Sequence, residues 1–238
     1  MGRPMNNDHL VPRAQQAEIT IAKRSKVLSF MYYEKYTTWQ VIKELVGHKS
    51  FQTTNDLLRK MEKQKWIKRY KSQDIAARNM SFWGITMAGI YAIYDEEVMP
   101  YLRKQGFDTK KVNITQLNHL THEQLIKCKV INSERDIRLR YINKRTWRVK
   151  KPDVLTSLYR DEDEITIAFE VELTIKSIKR YKQIINHYHL NHKFKFDNVI
   201  WATKDEKDKR KLKTIFENLN AHSYHYFYTI EELDGKIF

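Results

Sequence analysis

Four residues in the second half of the chain have the types and spacing for phosphodiester chemistry: Asp153, Glu170, Glu172 and Lys176. Glu164–Thr174 reads as a strand, and alternate residues of a strand share a face. Phe169, Val171 and Leu173 therefore point into a core, while Glu170, Glu172, Thr174 and Lys176 point the other way. Two carboxylates and an ammonium thus line one side of an otherwise apolar strand. Asp153 follows Pro152 at the start of the preceding strand, Val154–Tyr159. If the two strands pair as a hairpin through Asp161–Asp163, Asp153 comes close to the Glu170–Lys176 end. Asp153 and Glu170 then make a hard oxygen site for Mg²⁺ or Mn²⁺. Such an ion acidifies water, orients it on a phosphodiester and neutralises the leaving oxygen. Glu172 is placed to take the proton, and Lys176 to stabilise charge on the phosphorane. A competing reading is a surface strand with cross-strand ion pairs. Asp161, Glu162, Asp163 and Glu164 fit that description, as a solvated turn. Glu170 and Glu172 are flanked by apolar residues, and buried charge needs a partner.

The elements around these residues read as an α/β (α+β) domain over residues 113–238, a mixed sheet flanked by helices. A helix is expected at Thr115–Lys129, with Leu117, Leu120, Leu125 and Cys128 apolar, then a strand at Ile137–Ile142. After the two middle strands come an amphipathic helix, Lys176–His192, a buried strand, Asn198–Ala202, a charged helix, Asp205–Asn218, and a last strand, Ser223–Ile230. Gly106 and the polar stretch Asp108–Asn113 form the candidate linker.

Residues 15–106 read differently, after an arm at 1–14 that is expected to be disordered. A helix over about Gln15–Tyr36 has Ile19, Ala22, Leu28, Met31 and Tyr32 as core candidates. Thr37 and Thr38 can cap a second helix, Trp39–Val46, which Gly47 stops. Ser50 caps a third, from Phe51 to about Lys65. At 100° per residue, Thr54, Leu57, Leu58 and Met61 share one face of that third helix. Gln52, Asn55, Asp56, Arg59 and Lys63 share the other. Helix, tight turn, helix is the helix-turn-helix layout, whose second helix enters the major groove. Gln52, Asn55 and Arg59 are of types that contact base edges, while Lys60, Lys63 and Lys65 suit phosphates. A hairpin follows, Trp66–Lys71 and Met80–Ile85 around the loop Ser72–Asn79, and reads as a wing carrying Lys68, Arg69 and Arg78. Thr86 caps a last helix, Met87 to about Lys104. A winged helix-turn-helix that binds duplex DNA is the expectation.

Composition agrees. Lys and Arg outnumber Asp and Glu by 44 to 29, a net charge of +15, which attracts polyanions. No apolar run approaches a membrane span and no signal peptide opens the chain, so a cytoplasmic protein without membrane attachment is expected. Cys128 is the only cysteine, which excludes an internal disulfide and a Cys-rich zinc finger. No glycine-rich phosphate loop is present, which argues against an NTPase.

Pro152-Asp153, then Glu170-Val171-Glu172, then Lys176, on the second and third strands, resemble the PD-(D/E)XK nuclease superfamily and its restriction-endonuclease-like fold. The usual pattern places Lys two residues after the acidic ligand; Glu172 stands there, and Lys176 is the lysine that follows. A winged helix before such a domain, and the segment Lys151–Tyr188, are similar to the MobC-type conjugative relaxases and related plasmid replication-relaxation proteins. That resemblance implies strand-specific nicking at a plasmid transfer origin, with accessory mobilisation proteins as partners.

Two other constellations carry less. His187-Tyr188-His189 has the composition of a tyrosine-relaxase motif, but it falls in a helix, where the two histidines point about 200° apart. His119, His122 and Glu123 share a helix face, and such clusters without a fourth ligand are usually unliganded. Glu123 could instead approach the strand site. Two functions follow: a Mg²⁺-dependent DNA nickase of relaxase type, or a non-catalytic DNA-binding replication or transcription regulator with a degenerate nuclease fold.

Overall fold

A computed structural model describes residues 12–71, 81–94, 106–108, 112, 116–141, 151–190, 196–221 and 223–236. The chain divides into two compact units, Met1–Lys111 and Val112–Phe238. Most of the 1–14 arm, the loop Ser72–Asn79 with Arg78, and residues 95–104 lie outside the described residues.

The first unit runs α1 (Arg13–Glu34), β1 (Tyr36–Thr38), α2 (Trp39–Leu45), α3 (Phe51–Lys63), β2 (Ile67–Lys71), β3 (Ser81–Ile85) and α4 (Met87–Tyr91). Its three strands form an antiparallel sheet in the order β1-β3-β2. Three helices and a hairpin in this order are a winged helix. Gly47 takes a left-handed φ of 65° after α2, and so turns the chain without strain on a side chain. Ser50 Oγ accepts the Thr53 N–H at 3.2 Å and starts α3. Thr54, Leu57, Leu58 and Met61 are the buried residues of α3, as its periodicity predicts. They join Val27, Leu28, Phe30 and Met31 of α1 and Val41, Ile42 and Leu45 of α2 in the buried set.

Three expectations for this unit need correction. The helix expected from Met87 to about Lys104 ends at Tyr91, with Ala92 as its C-cap and a turn after it. Ile19 and Ala22 are exposed. The buried residues of α1 begin at Val27, so only its second half is packed. Thr38 does stand at the N-cap of α2, but its side chain makes no capping bond. Thr37 and Thr38 instead form β1, opposite Trp83 and Phe82. A strand of three residues is too short to show alternation, and only its pairing with β3 reveals it.

The second unit runs α5 (Leu117–Asn132), β4 (Ile137–Leu139), β5 (Val154–Arg160), β6 (Asp163–Glu172), α6 (Ile178–Leu190), β7 (Asn198–Thr203), α7 (Glu206–Asn218), β8 (His225–Thr229) and α8 (Leu233–Lys236). The sheet order is β4-β5-β6-β7-β8. β4, β5 and β6 are an antiparallel meander, and β6, β7 and β8 are parallel, joined by α6 and α7. This is the mixed α/β order that the sequence pattern predicts, with α8 added. An apolar cluster covers each face of the sheet. One holds Leu155, Ala168, Tyr181, Ile184, Trp201 and Phe216. The other holds Ile126, Val154, Phe169, Val171 and Ile200. β6 is therefore buried on both faces from Ile167 to Glu172. Among the described residues, no helix is long and apolar enough to cross a membrane.

Leu58 is fully buried in α3. Leu58→Ala is expected to destabilise the protein by about 2–5 kcal/mol, seen as a lower midpoint in urea unfolding. An unchanged midpoint would contradict the packing of α3.

Candidate functional site

β5 and β6 turn through Asp161 and Glu162, with Arg160 opposite Asp163. Asp161 has a φ of 56°, a left-handed conformation that Asp tolerates better than most residues. The register set by this turn puts Val154 opposite Phe169. Asp153, one residue earlier, then lies at the Glu170 end of β6. Its N–H donates to the Phe169 carbonyl at 3.0 Å, and its Oδ2 accepts the Val171 N–H at 2.7 Å. The hairpin therefore brings Asp153 to the end of β6 that the alternation argument requires.

α5 adds two side chains one helical turn apart. His119 Nε2 donates to the Val171 carbonyl at 2.9 Å and lies 3.6 Å from Asp153 Oδ2. His119 Nδ1 donates to Glu123 Oε1 at 2.7 Å. Both ring nitrogens thus face acceptors, which is the environment of an imidazolium. The hydrogen bond to Glu123, with the charges of Asp153 and Glu123, raises the His119 pKa to about 9 against the desolvation that opposes it. Burial raises Asp153 to about 7, with further upward pushes from the negative charges of Glu170 and Glu123. Ligand atoms of His119, Glu123 and Asp153 all lie within 4.8 Å of one another, a spacing that can close around a metal ion. Their side chains are 36%, 19% and 20% exposed, so solvent ions have access. His122, on the same helix, turns Nδ1 to the Asn118 carbonyl at 2.8 Å and stays outside this group.

Glu170 and Glu172 are 4% and 2% exposed. The surface-strand reading fails for both, and each has found donors. The Tyr188 hydroxyl donates to Glu170 Oε1. Lys176 Nζ donates to Glu172 Oε2 at 2.5 Å. Tyr181 also hydrogen-bonds Glu172, while its hydroxyl oxygen accepts the Lys176 N–H at 3.0 Å. The structure therefore brings Lys176 to Glu172, and brings Asp153 to Glu170, His119 and Glu123. Burial pushes the phenols of Tyr181 and Tyr188 well above the usual range. Neither is suited to attack a phosphodiester. The side chains of His187 and His189 lie outside the described residues, but their backbone is in α6, not a strand.

Sequence reasoning missed two partnerships. His119 and Glu123 were visible as a helix-face pair, but Asp153 is remote in sequence. Tyr181 and Tyr188 read as core of α6. The usable signal was stoichiometric: two buried carboxylates need donors, and a buried tyrosine hydroxyl needs a partner.

The first unit offers a second candidate surface. Gln52, Arg59, Lys60 and Lys63 are exposed on α3, and Asn55 is half-buried. Gln52 Nε2 donates to Asp56 Oδ1 at 3.0 Å, one turn along. On β2, Lys68 and Arg69 are exposed. Arg69 lies over the Trp83 ring at 5.3 Å and donates to Ser81 Oγ at 3.0 Å, so its guanidinium is held in place.

No protein-family model and no curated protein matches the chain. Among solved structures, the chain is similar to the restriction endonuclease FokI, with a TM-score of 0.36 and 9% identity over 89% of this chain and 43% of that one. The chain thus spans less than half the length of that protein. The likeness is distant and bears on no individual residue.

The raised pKa values have a consequence for stability without metal. Asp153 rises from 3.8 to about 7 on folding, so the folded protein holds this proton more tightly than the unfolded chain. The associated stability is present below the unfolded value and is lost as pH rises through the folded one. Asp153→Asn keeps an acceptor for the Val171 N–H but cannot ionise. In EDTA, the variant is expected to match the wild type near pH 4 and to have a higher urea midpoint at pH 8. A variant that is less stable at pH 8 would refute the burial argument.

Proposed function

We propose that the chain is a divalent-metal-dependent DNA endonuclease that grips duplex DNA with its first unit and cuts one strand with its second. The observation that carries this reading is the gathering of Asp153, Glu170, Glu172 and Lys176 at one end of β5 and β6, with Asp153 in a group that can hold a metal. Asp153 and Glu170 are the proposed ligands of a Mg²⁺ or Mn²⁺ ion, with Glu123 close by. When bound, such an ion supplies Lewis acidity, neutralising phosphate charge and acidifying water. Glu172 acts as base toward water, its carboxylate held in one orientation by Lys176 and Tyr181. Lys176, 39% exposed, keeps its ammonium where a phosphate can meet it. The burial of Tyr181 and Tyr188 favours water over a tyrosine as nucleophile.

The narrower form of this reading is a relaxase-type nickase acting at a plasmid transfer origin with accessory mobilisation proteins. Its support is the motif run within Lys151–Tyr188. A different reading is a DNA-binding regulator with an inert nuclease-like unit. It is favoured by one observation: Glu170 and Glu172 already have protein donors, an arrangement that stabilises the strand without any metal.

DNA contact is assigned to Gln52, Asn55, Arg59, Lys60 and Lys63 on α3, to Lys68 and Arg69 on β2, and, from the sequence alone, to Arg78, outside the described residues. Arg59→Ala is expected to lose about 1–3 kcal/mol of discrimination between specific and random duplexes, while Lys63→Ala weakens both alike and lowers the salt slope. Gel shifts across a salt series measure this. Unaltered binding in both variants would remove α3 as the reading helix.

Supercoiled plasmid carrying the native locus tests the catalytic half. Nicked circles are expected before linear DNA, with a protein-free 5′ end, and EDTA should stop the reaction. Asp153→Ala and Glu170→Ala should abolish nicking and leave duplex binding intact. Lys176→Ala should slow it, by about 10²–10⁴-fold if the ammonium acts as a full acid-base or charge-stabilising group. Nicking that persists in EDTA, or in the Asp153→Ala and Glu170→Ala proteins, would leave the regulator reading in its place.

A further inference from the structure

We infer that the metal centre beside β5 takes a first-row transition-metal dication, of the Mn²⁺ or Co²⁺ class, in preference to Mg²⁺, through a nitrogen ligand from His119. The inference rests on the reading of this cleft as the metal centre of a nuclease, and it names the ion and an added ligand.

The donor set makes the choice. Mg²⁺ dehydrates reluctantly and is bound through oxygen. Imidazole nitrogen favours first-row transition dications, with an advantage that is smallest for Mn²⁺, which also accepts all-oxygen sites, and grows toward Co²⁺. His119 is one of the three residues whose ligand atoms fall within 4.8 Å of one another. Its Nε2 is the nitrogen on the side of Asp153, 3.6 Å from Oδ2, and it lies 2.9 Å from the Val171 main-chain oxygen. One nitrogen, one carboxylate oxygen and one carbonyl oxygen therefore converge from α5, β5 and β6.

The other ring nitrogen is already committed. Nδ1 donates to Glu123 Oε1 at 2.7 Å. A carboxylate holding the remote N–H of a histidine fixes the tautomer in which the other nitrogen carries the lone pair. Here that nitrogen is Nε2, the one facing Asp153 and Val171, which gains its lone pair once the proton it donates to the Val171 carbonyl is displaced. Glu123 is on this account a positioning residue for His119, and it adds negative charge beside the ion. Displacing the Nε2 proton is the cost of binding. A transition metal offsets it with a strong bond to nitrogen, whereas Mg²⁺ gains little from nitrogen and is left with the oxygen donors.

The test uses the full-length, metal-stripped protein with Co²⁺, Mn²⁺ and Mg²⁺ as probes. Calorimetry is expected to give one Co²⁺ per chain, bound at least about tenfold more tightly than Mg²⁺. Pulsed electron paramagnetic resonance of the Mn²⁺-loaded protein is expected to show coupling to a ¹⁴N nucleus. His119→Gln should remove that coupling and weaken Co²⁺ at least about tenfold, with Mg²⁺ affinity changed by less than about threefold. Absence of ¹⁴N coupling in the wild type, which needs no variant to fold, overturns the inference. So does equal affinity for Co²⁺ and Mg²⁺, or wild-type Co²⁺ affinity in a folded His119→Gln. The two readings separate cleanly. A nitrogen-ligated ion in a protein that never nicks DNA supports this inference and sinks the nuclease. Mg²⁺-driven nicking that is indifferent to His119→Gln does the reverse.

Discussion

The constraint on which the second unit turns is the burial of Glu170 and Glu172 in a strand covered on both faces. A carboxylate in that position must be given donors or it neutralises itself. α6 supplies them. Tyr188 reaches Glu170, Tyr181 reaches Glu172, and Lys176 at the approach to the helix closes on the same carboxylate. The parallel crossover β6–α6–β7 is thus both a packing device and the holder of the acidic pair. The tyrosine rings sit in the apolar cluster with Trp201 and Leu155, while their hydroxyls serve the charges.

Around Asp153, at the same end of β5 and β6, the balance is different. Asp153 receives one backbone N–H, but two further carboxylates act on it through their charge. Three acidic groups and one imidazole leave negative charge in excess. His119 answers it by holding a proton well above its ordinary range, principally through Glu123. A cluster that holds a proton so firmly is also one that a dication can discharge, since proton and metal compete for the same ligand atoms. Electrostatic strain of this kind is characteristic of functional sites, although structural ion-pair networks produce it as well.

The first unit obeys a simpler rule. α3 is amphipathic enough that one face seats Thr54, Leu57, Leu58 and Met61 in the core. Gln52, Arg59, Lys60 and Lys63 are then left outside by geometry alone. Their presentation costs the fold little, and the same burial that stabilises the helix orients the polar side chains. Arg69 differs, since its stacking on Trp83 and its bond to Ser81 hold it to the sheet.

What the sequence determined by itself is what periodicity and local chemistry can carry. The face of α3, the Ser50 cap, the order of helices and strands in the second unit, and the alternation that sets Glu170 and Glu172 apart from Phe169 and Val171 are all local properties, because side-chain direction follows from 3.6- and 2-residue repeats. The hairpin through Asp161 and Glu162 could also be read, and with it the approach of Asp153 to β6. Tertiary structure decided what crosses between elements. β1 exists only because β3 pairs with it. Ile19 and Ala22 have helical spacing but are exposed, and periodicity cannot say how far along a helix its cover extends. Tyr181 and Tyr188 carry both a ring and a hydroxyl, and only the placement of α6 over β6 shows that the hydroxyls are committed to Glu172 and Glu170. His119 and Glu123 looked like a helix-surface pair without a further ligand. Asp153 became their neighbour because α5 packs at the end of β5, a contact between residues far apart in the chain, of which no local pattern bears any trace.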